Sequence, residues 1–520
     1  MKIGISKRLR WVLGFTVLPI AMVLLWYGFE NLHGALRWQR CKRNLIARGE
    51  KVEFKELIPP PVPAEQNFAN ASLFQDLDFK SVEPFTGATP TNPVAVAIQA
   101  FDRVANTIHH RSNFLSSTRD NRNLTDFVAW QRAFEGVYTN KDTQRLTNAA
   151  DAVLQYLHAY DSILEEVRGA IERPHTRFDI DYFRQNPWEM PLPHLDRLRS
   201  VCRIASLKAC AELATGRSEN AWQDVQLCFR IIDSIKPEPI LISYLIRAAC
   251  VHVTVQPIWE GLALGHWTDA DLERLQNELD RFDFIADERT VLEAERTVGL
   301  ATPDIFYRYP REMYESVWDF GGLNSTLPEE KTRSKPCGRD CWVLRLAPRG
   351  WWQKEKCNYA EMFDRIILSG VDFSNRVVHP SAINANRLTF DSEPKSFIST
   401  LFQHRFMVSV GLPALVHTHM RAAHAQTHVH QMLIACALER HKRATGEYPA
   451  SLEACRFLKR VPHDLIGGAP LKYKIRKRFL LYSVGWDETD DSGNSASSDW
   501  STWSTPKKGD WVWSYPETPE

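Results

Sequence analysis

The sequence predicts a mainly α-helical protein, with an N-terminal transmembrane helix, an α-helical body of hairpin or bundle type, and a small α+β C-terminal module with antiparallel strands. Three patterns carry this prediction. Residues from Trp11 to Phe29 contain no charge; apolar residues between Leu146 and Ile171 recur alternately every four and three positions; beyond Leu471 the apolar pattern shortens to strand-length runs. A chain of 520 residues has ample apolar surface to bury. Its 64 basic and 63 acidic side chains nearly cancel, so no global field draws nucleic acid or another polyanion.

At 1.5 Å of rise per residue the run 11–29 spans ~28 Å, about one hydrocarbon core. Pro19 is tolerated in such a helix because neighbouring groups re-satisfy the freed carbonyl, and Trp11, Trp26 and Tyr27 suit the two interfaces. No small-x-small cleavage site follows closely, and apolar residues continue in helical register through Leu32, Leu36 and Leu45. That favours an anchor over a cleaved signal peptide. Lys2, Lys7, Arg8 and Arg10 precede the run while Arg37, Arg40, Lys42, Arg43 and Arg48 follow it, so charge counting does not orient it. A short basic tail (1–10) ahead of a long domain is the signal-anchor arrangement. It places the tail in the cytoplasm and the body across the membrane, with the lipid bilayer as partner through 11–29.

After a basic helical extension (30–58), Pro59, Pro60, Pro61 and Pro63 mark a boundary that cannot be helix interior. Residues 59–123 are rich in Pro and Asn and read as irregular, with one helical pattern near Val94 to Ile108. The body occupies 124–400. Its clearest helix carries Leu146, Ala150, Val153, Leu157, Tyr160, Leu164, Val167 and Ile171 and ends before Pro174. A second helix runs from Leu195 to Thr215 and stops at Gly216; Ser218 then caps a third that buries Ala221, Val225, Cys228, Ile232 and Ile235. Gly265, Thr268 and Ala270 repeat that turn, but two copies 49 residues apart do not make a 34-residue repeat, so a plain helical domain is expected. Residues 307–352 read as ordered loop, and a last long helix is expected from Leu412 to Thr445. Strands are expected at Leu471–Ile475, Phe479–Val484 and Trp511–Tyr515, the last a half-buried edge.

Leu438-Glu439-Arg440-His441-Lys442 leads into Gly446-Glu447-Tyr448-Pro449 and Ser451-Leu452, read as a helix end, a turn and a second short helix. Val461-Pro462-His463-Asp464, Pro470 to Tyr473, Leu481 to Gly485 and an acidic loop from Asp487 to Gly493 follow. This order, within 412–520, resembles the C-terminal half of the type II secretion major pseudopilin. The resemblance implies a helix, a G-x-Y-P turn, a small antiparallel sheet and a calcium-holding loop, with Asp487, Asp490 and Asp491 as ligands and no other cofactor. An EF-hand does not fit, since the glycine falls at Gly493 and Ser498 stands where glutamate is needed. Gly14 to Leu18 resembles a prepilin processing site, yet Pro19 replaces the usual glutamate, and nearly 400 residues separate the apolar helix from the pilin-like end. The chain thus looks like membrane-anchored bacterial proteins in which a helical body ends in a pseudopilin-like module. The expected location is the inner membrane, crossed once, with the body in the periplasm.

The same last helix is rich in imidazole: His417, His419, His424, His428, His430 and His441. His424 and His428, four apart, share a helix face and can share a metal, with His417 further along that face as a third ligand. No H-E-x-x-H arrangement accompanies them. Cys337, Cys341 and Cys357 are candidates for a disulfide, between the first two or from either to Cys357. Trp500, Trp503, Trp511, Trp513 and Tyr515 suit a sugar platform or, as their alternation favours, a small core. No phosphate loop, dinucleotide fingerprint or serine elbow occurs, and Glu293 and Glu295 read as a solvated helix face. Two functions follow: a non-enzymatic interaction or scaffold protein of the bacterial envelope with a protein partner, linked to secretion or pilus-type machinery, or a metal-dependent hydrolase built on His424 and His428.

Overall fold

The computed structural model describes residues 7–80, 92–109, 123–137, 148–184, 187–309, 346–391, 402–495 and 508–515. They form a mainly helical molecule with two small antiparallel sheets towards the C-terminal end. The first helix, α1 (Lys7–Ala47), is continuous through Pro19. Val17, Leu18, Ile20, the run from Met22 to Trp26, and Phe29 are exposed, whereas Glu30 is buried. The helix therefore divides into a bare apolar stretch and a docked stretch. Residues 54–74 descend through four short 3-10 turns, as their Pro and Asn content implies. Asn67 ties this ribbon down, donating to the Arg177 carbonyl at 2.8 Å.

The body begins with α2 (Pro93–His109), α3 (Phe127–Val137), α4 (Ala149–Leu157) and α5 (Asp161–Ile171). The periodicity at 146–171 spans both α4 and α5, because a 3-10 turn at His158–Tyr160 interrupts the expected single helix. Tyr160 is fully buried there, and the Asp161 carboxylate beside it accepts from His158 (2.7 Å) and pairs with Lys208, so tertiary contacts hold the tighter turn. Next come α6 (Pro193–Ala214), α7 (Ser218–Ile235), α8 (Leu241–Leu264), α9 (Asp269–Leu279) and α10 (Phe284–Arg308). Gly216 and Gly265 take positive φ at the two turns, and Thr268 and Asp271 form a reciprocal capping box on α9. α8 is the one helix among the described residues that is long and apolar enough to cross a membrane by composition, yet 56% of its apolar window is buried between α6, α7 and the last long helix.

Of the stretch expected as loop, 310–345 lies outside the described residues, and Trp351 and Trp352 sit in the first turn of a helix, α11 (Arg349–Ile366). α12 (Pro380–Asp391) follows a two-residue hairpin of β1 (Val371–Asp372) and β2 (Val377–Val378). The helix expected from Leu412 to Thr445 is two helices, α13 (Phe406–Leu415) and α14 (Thr418–Thr445). The start of α13 is set from outside: the buried Glu355 carboxylate on α11 accepts the Phe406 and Met407 amides at 3.1 and 3.0 Å.

α14 ends at Gly446 with φ 89°, and three antiparallel strands follow, β3 (Lys472–Ile475), β4 (Phe479–Ser483) and β5 (Trp511–Trp513), in the order β3-β4-β5. Residues 451–460 are turns instead of the expected short helix. β5 is buried on every residue where a half-exposed edge was expected. The reason is that the sheet lies on the helices: Gln431 of α14 donates to the Trp511 carbonyl (2.8 Å) and Trp259 of α8 donates to the Ser514 carbonyl (2.9 Å).

Candidate metal centre

α8 and α14 pack along each other at the middle of the body, and both are largely apolar on the shared face. Into that face each sends imidazoles: His252 from α8, and His424 and His428 from successive turns of α14. One nitrogen of each lies within 4.8 Å of the others, and this is the one group of three His, Cys, Asp or Glu side chains so placed among the described residues. His424 and His428 are almost fully buried and His252 is half-buried.

The three rings are oriented by their surroundings. His424 Nδ1 stands 3.4 Å from His252 Nε2, and tetrahedral zinc with Zn–N near 2.0–2.1 Å separates its nitrogens by ~3.3 Å. His428 Nδ1 hydrogen-bonds Gln431 Oε1 at 3.0 Å, and Gln431 is fixed in turn by the β5 backbone. An Nδ1–H donated to that oxygen leaves Nε2 as the ligating atom, the outer-shell arrangement typical of metal-bound histidine. Trp511 meets the His424 ring edge-on with centroids 4.9 Å apart and walls the centre on the β5 side. The rings themselves are close: centroids of His424 and His428 are 4.4 Å apart, and those of His252 and His428 5.1 Å. Three imidazoles at these distances are a donor set for zinc, copper or another borderline divalent ion.

Of the candidate ligands read from sequence, His424 and His428 belong to this group and His417 does not. His417 is the N-terminal cap residue of α14, half-buried, its pKa lowered by burial and by the cations Arg387 and Arg421; it stands outside the group. The break before α14 removes it from the continuous helix face that suggested it. His252 lies 172 residues away from His424, and its signal in sequence is a lone imidazole in the apolar run of α8. The other histidines have structural partners. His419 is buried with Nδ1 2.9 Å from Glu288, whose carboxylate outweighs burial and raises its pKa; His441 Nδ1 accepts the Arg456 amide at 3.2 Å.

The acidic loop is organised by backbone contacts. Asp487 accepts the Gly509 amide (3.0 Å), and Asp490 accepts the Tyr482 hydroxyl (3.1 Å) and the Ser492 amide (2.9 Å). A residue not singled out in sequence, Asp510, accepts the amides of Asp491 (3.2 Å) and Gly493 (2.6 Å). Asp487, Asp490 and Asp491 do not form a group of mutually adjacent ligands here. Cys337, Cys341, Trp500 and Trp503 lie outside the described residues. Cys357 is buried on α11 against Cys41 of α1. Trp511, Trp513 and Tyr515 face inward as core, not as a platform. Glu295, read as solvated, turns in and accepts the Leu241 amide at 3.2 Å, which positions the start of α8. Comparison with family models, with curated proteins and with solved structures returns no match.

Proposed function

We propose that this protein is a membrane-tethered metal-binding protein of the bacterial envelope, holding one divalent transition-metal ion, zinc by preference, on His252, His424 and His428. The observation that carries this reading is the convergence of three imidazole nitrogens within 4.8 Å in the interior of the helical body. Three protein ligands leave a tetrahedral ion one position for water, the ligand count of hydrolytic zinc centres, so metal-dependent hydrolysis is the activity class to assay. The bare apolar stretch of α1 supports the tether, with the body in the periplasm. The test is metal analysis of the detergent-extracted full chain after dialysis against zinc and then metal-free buffer. About one zinc per chain is expected, reduced to background in His252→Ala and His424→Ala but kept in His417→Ala, with circular dichroism confirming the fold. Sub-stoichiometric metal in the folded wild type overturns the reading.

A second reading is supported by the C-terminal order of helix, Gly446 turn and antiparallel β3-β4-β5 sheet. In it the module is pseudopilin-like, the body is a non-enzymatic docking surface for a protein partner of secretion or pilus-type machinery, and calcium binds at Asp487, Asp490 and Asp491. Calcium bound by the full chain and lost in Asp487→Ala would favour it; absence of calcium binding removes the calcium claim.

A further inference from the structure

α1 and α11 run side by side in the same direction, and their contacts advance in step. Gly34 meets Gly350, Cys41 meets Cys357, and Arg48 pairs with Asp364 at 2.8 Å. Each step is seven residues on both helices, the repeat that keeps one seam facing its partner in a left-handed coiled coil. The backbones come closest at the glycines, where a Cβ on Gly34 would stand 2.1 Å from the Gly350 carbonyl oxygen. Two turns later Cys41 and Cys357 face each other across the seam as interacting neighbours. Matched positions on parallel helices aim both Cβ atoms into the same seam, which is the orientation a disulfide requires. The two sulfurs differ in access: Cys357 is fully buried, while Cys41 is half-buried and lines a cleft between the helices with Arg37, Arg40 and Arg48.

We propose that Cys41 and Cys357 are a disulfide pair that fastens the anchor helix to the body, formed by exchange with an external disulfide. Cys41 is the sulfur that the cleft exposes, and its interaction with Cys357 together with the nearby Arg37 and Arg48 lowers its pKa, so Cys41 supplies the attacking thiolate. Its sulfur attacks one sulfur of the external disulfide, forming a mixed disulfide and releasing one thiolate. Cys357 loses its proton and attacks the Cys41 sulfur, forming the Cys41–Cys357 bond and displacing the second thiolate. Two protein thiols are oxidised and one disulfide is reduced to two thiols, with both protons passing to the released thiolates.

The experiment uses the full chain in detergent, reduced, then incubated with oxidised glutathione, blocked with N-ethylmaleimide and digested for peptide mass mapping. A Cys41–Cys357 linked peptide in most molecules is the expected result. Three outcomes overturn the proposal: both residues labelled by maleimide, a glutathione adduct stalled on Cys41, or Cys357 joined to Cys337 or Cys341. In oxidised protein, a limited proteolytic cut between the two cysteines should leave the fragments joined until reductant is added.

Discussion

Glu355 shows how one buried side chain ties two helices together and leaves a trace in pH dependence. Burial pushes its pKa up to about 8, against the pull of the two α13 amides it accepts. Between the ordinary carboxylate range and pH 8 the folded chain therefore holds a proton that the unfolded chain has released. Stability must fall as pH rises through that window, by at most roughly 1.4 kcal/mol per pH unit from this group. Glu355→Gln keeps the shape and an acceptor oxygen but has nothing to titrate. Thermal melts of wild type and variant between pH 5 and 8 should diverge, the wild type losing more; parallel curves would reject the assignment. Arg247 is a second such residue, fully buried, with Nε on the Ile232 carbonyl at 3.0 Å, Nη1 on Asp287 at 2.7 Å and its guanidinium over Phe284. Arg247→Ala should cost about 3–5 kcal/mol in chemical unfolding, the usual loss when half of a buried pair is removed. Lys236 also reaches Asp287, at 3.1 Å, so the lower end of that range is expected.

At the scale of elements, the α1–α11 seam depends on the absence of side chains. A methyl on Gly34 meets the Gly350 backbone and a methyl on Gly350 meets the Glu30 carbonyl, at 2.1 and 2.0 Å, so neither can be relieved by a rotamer change. Gly34→Ala should destabilise by about 1–3 kcal/mol through forced separation of the helices, whereas Gly169→Ala in α5, with nothing within 4 Å of the new methyl, should be neutral or stabilise by up to ~1 kcal/mol. Equal effects in denaturant titrations would show that the close approach does not matter. Elements whose signals are local were legible from sequence. The α6–α7 turn at Gly216, the Thr268 cap and all three C-terminal strands fall where apolar period and turn residues put them. Elements set by distant groups were not. α13 starts where a carboxylate from another helix holds its amides, the backbone of β5 and of Ser514 just past it is tied to side chains from α14 and α8, and the third histidine arrives on α8. No window of neighbouring residues contains those partners.

At the scale of the whole molecule, α1 changes character along its length at Glu30, and the proposed membrane tether is tested on the bare side of that change. From Glu30 onward it is docked: Glu30 pairs with Lys354 at 2.7 Å where both are nearly buried, Asn31 accepts the Gly350 amide at 2.8 Å, and Arg37 reaches Asn358 at 2.7 Å. Before Glu30, side chains such as Ile20 (60% exposed) and Leu24 (66% exposed) touch nothing that hides them. Water is an expensive solvent for so many adjacent apolar groups, at roughly 25 cal/mol per Å² of apolar surface, and a bilayer removes that cost. Because Ile20 and Leu24 are bare, replacing them leaves the packed body intact. If the bare stretch inserts in a bilayer, two arginines near its middle would each oppose insertion by about 2.5–3.5 kcal/mol. Wild-type chain should stay with membranes through a carbonate wash, and the double variant Ile20→Arg, Leu24→Arg should move to the supernatant with unchanged circular dichroism. Release of the wild-type chain by the same wash would remove the tether, and a double variant that stays with the membrane would mean that another surface of the body holds it there.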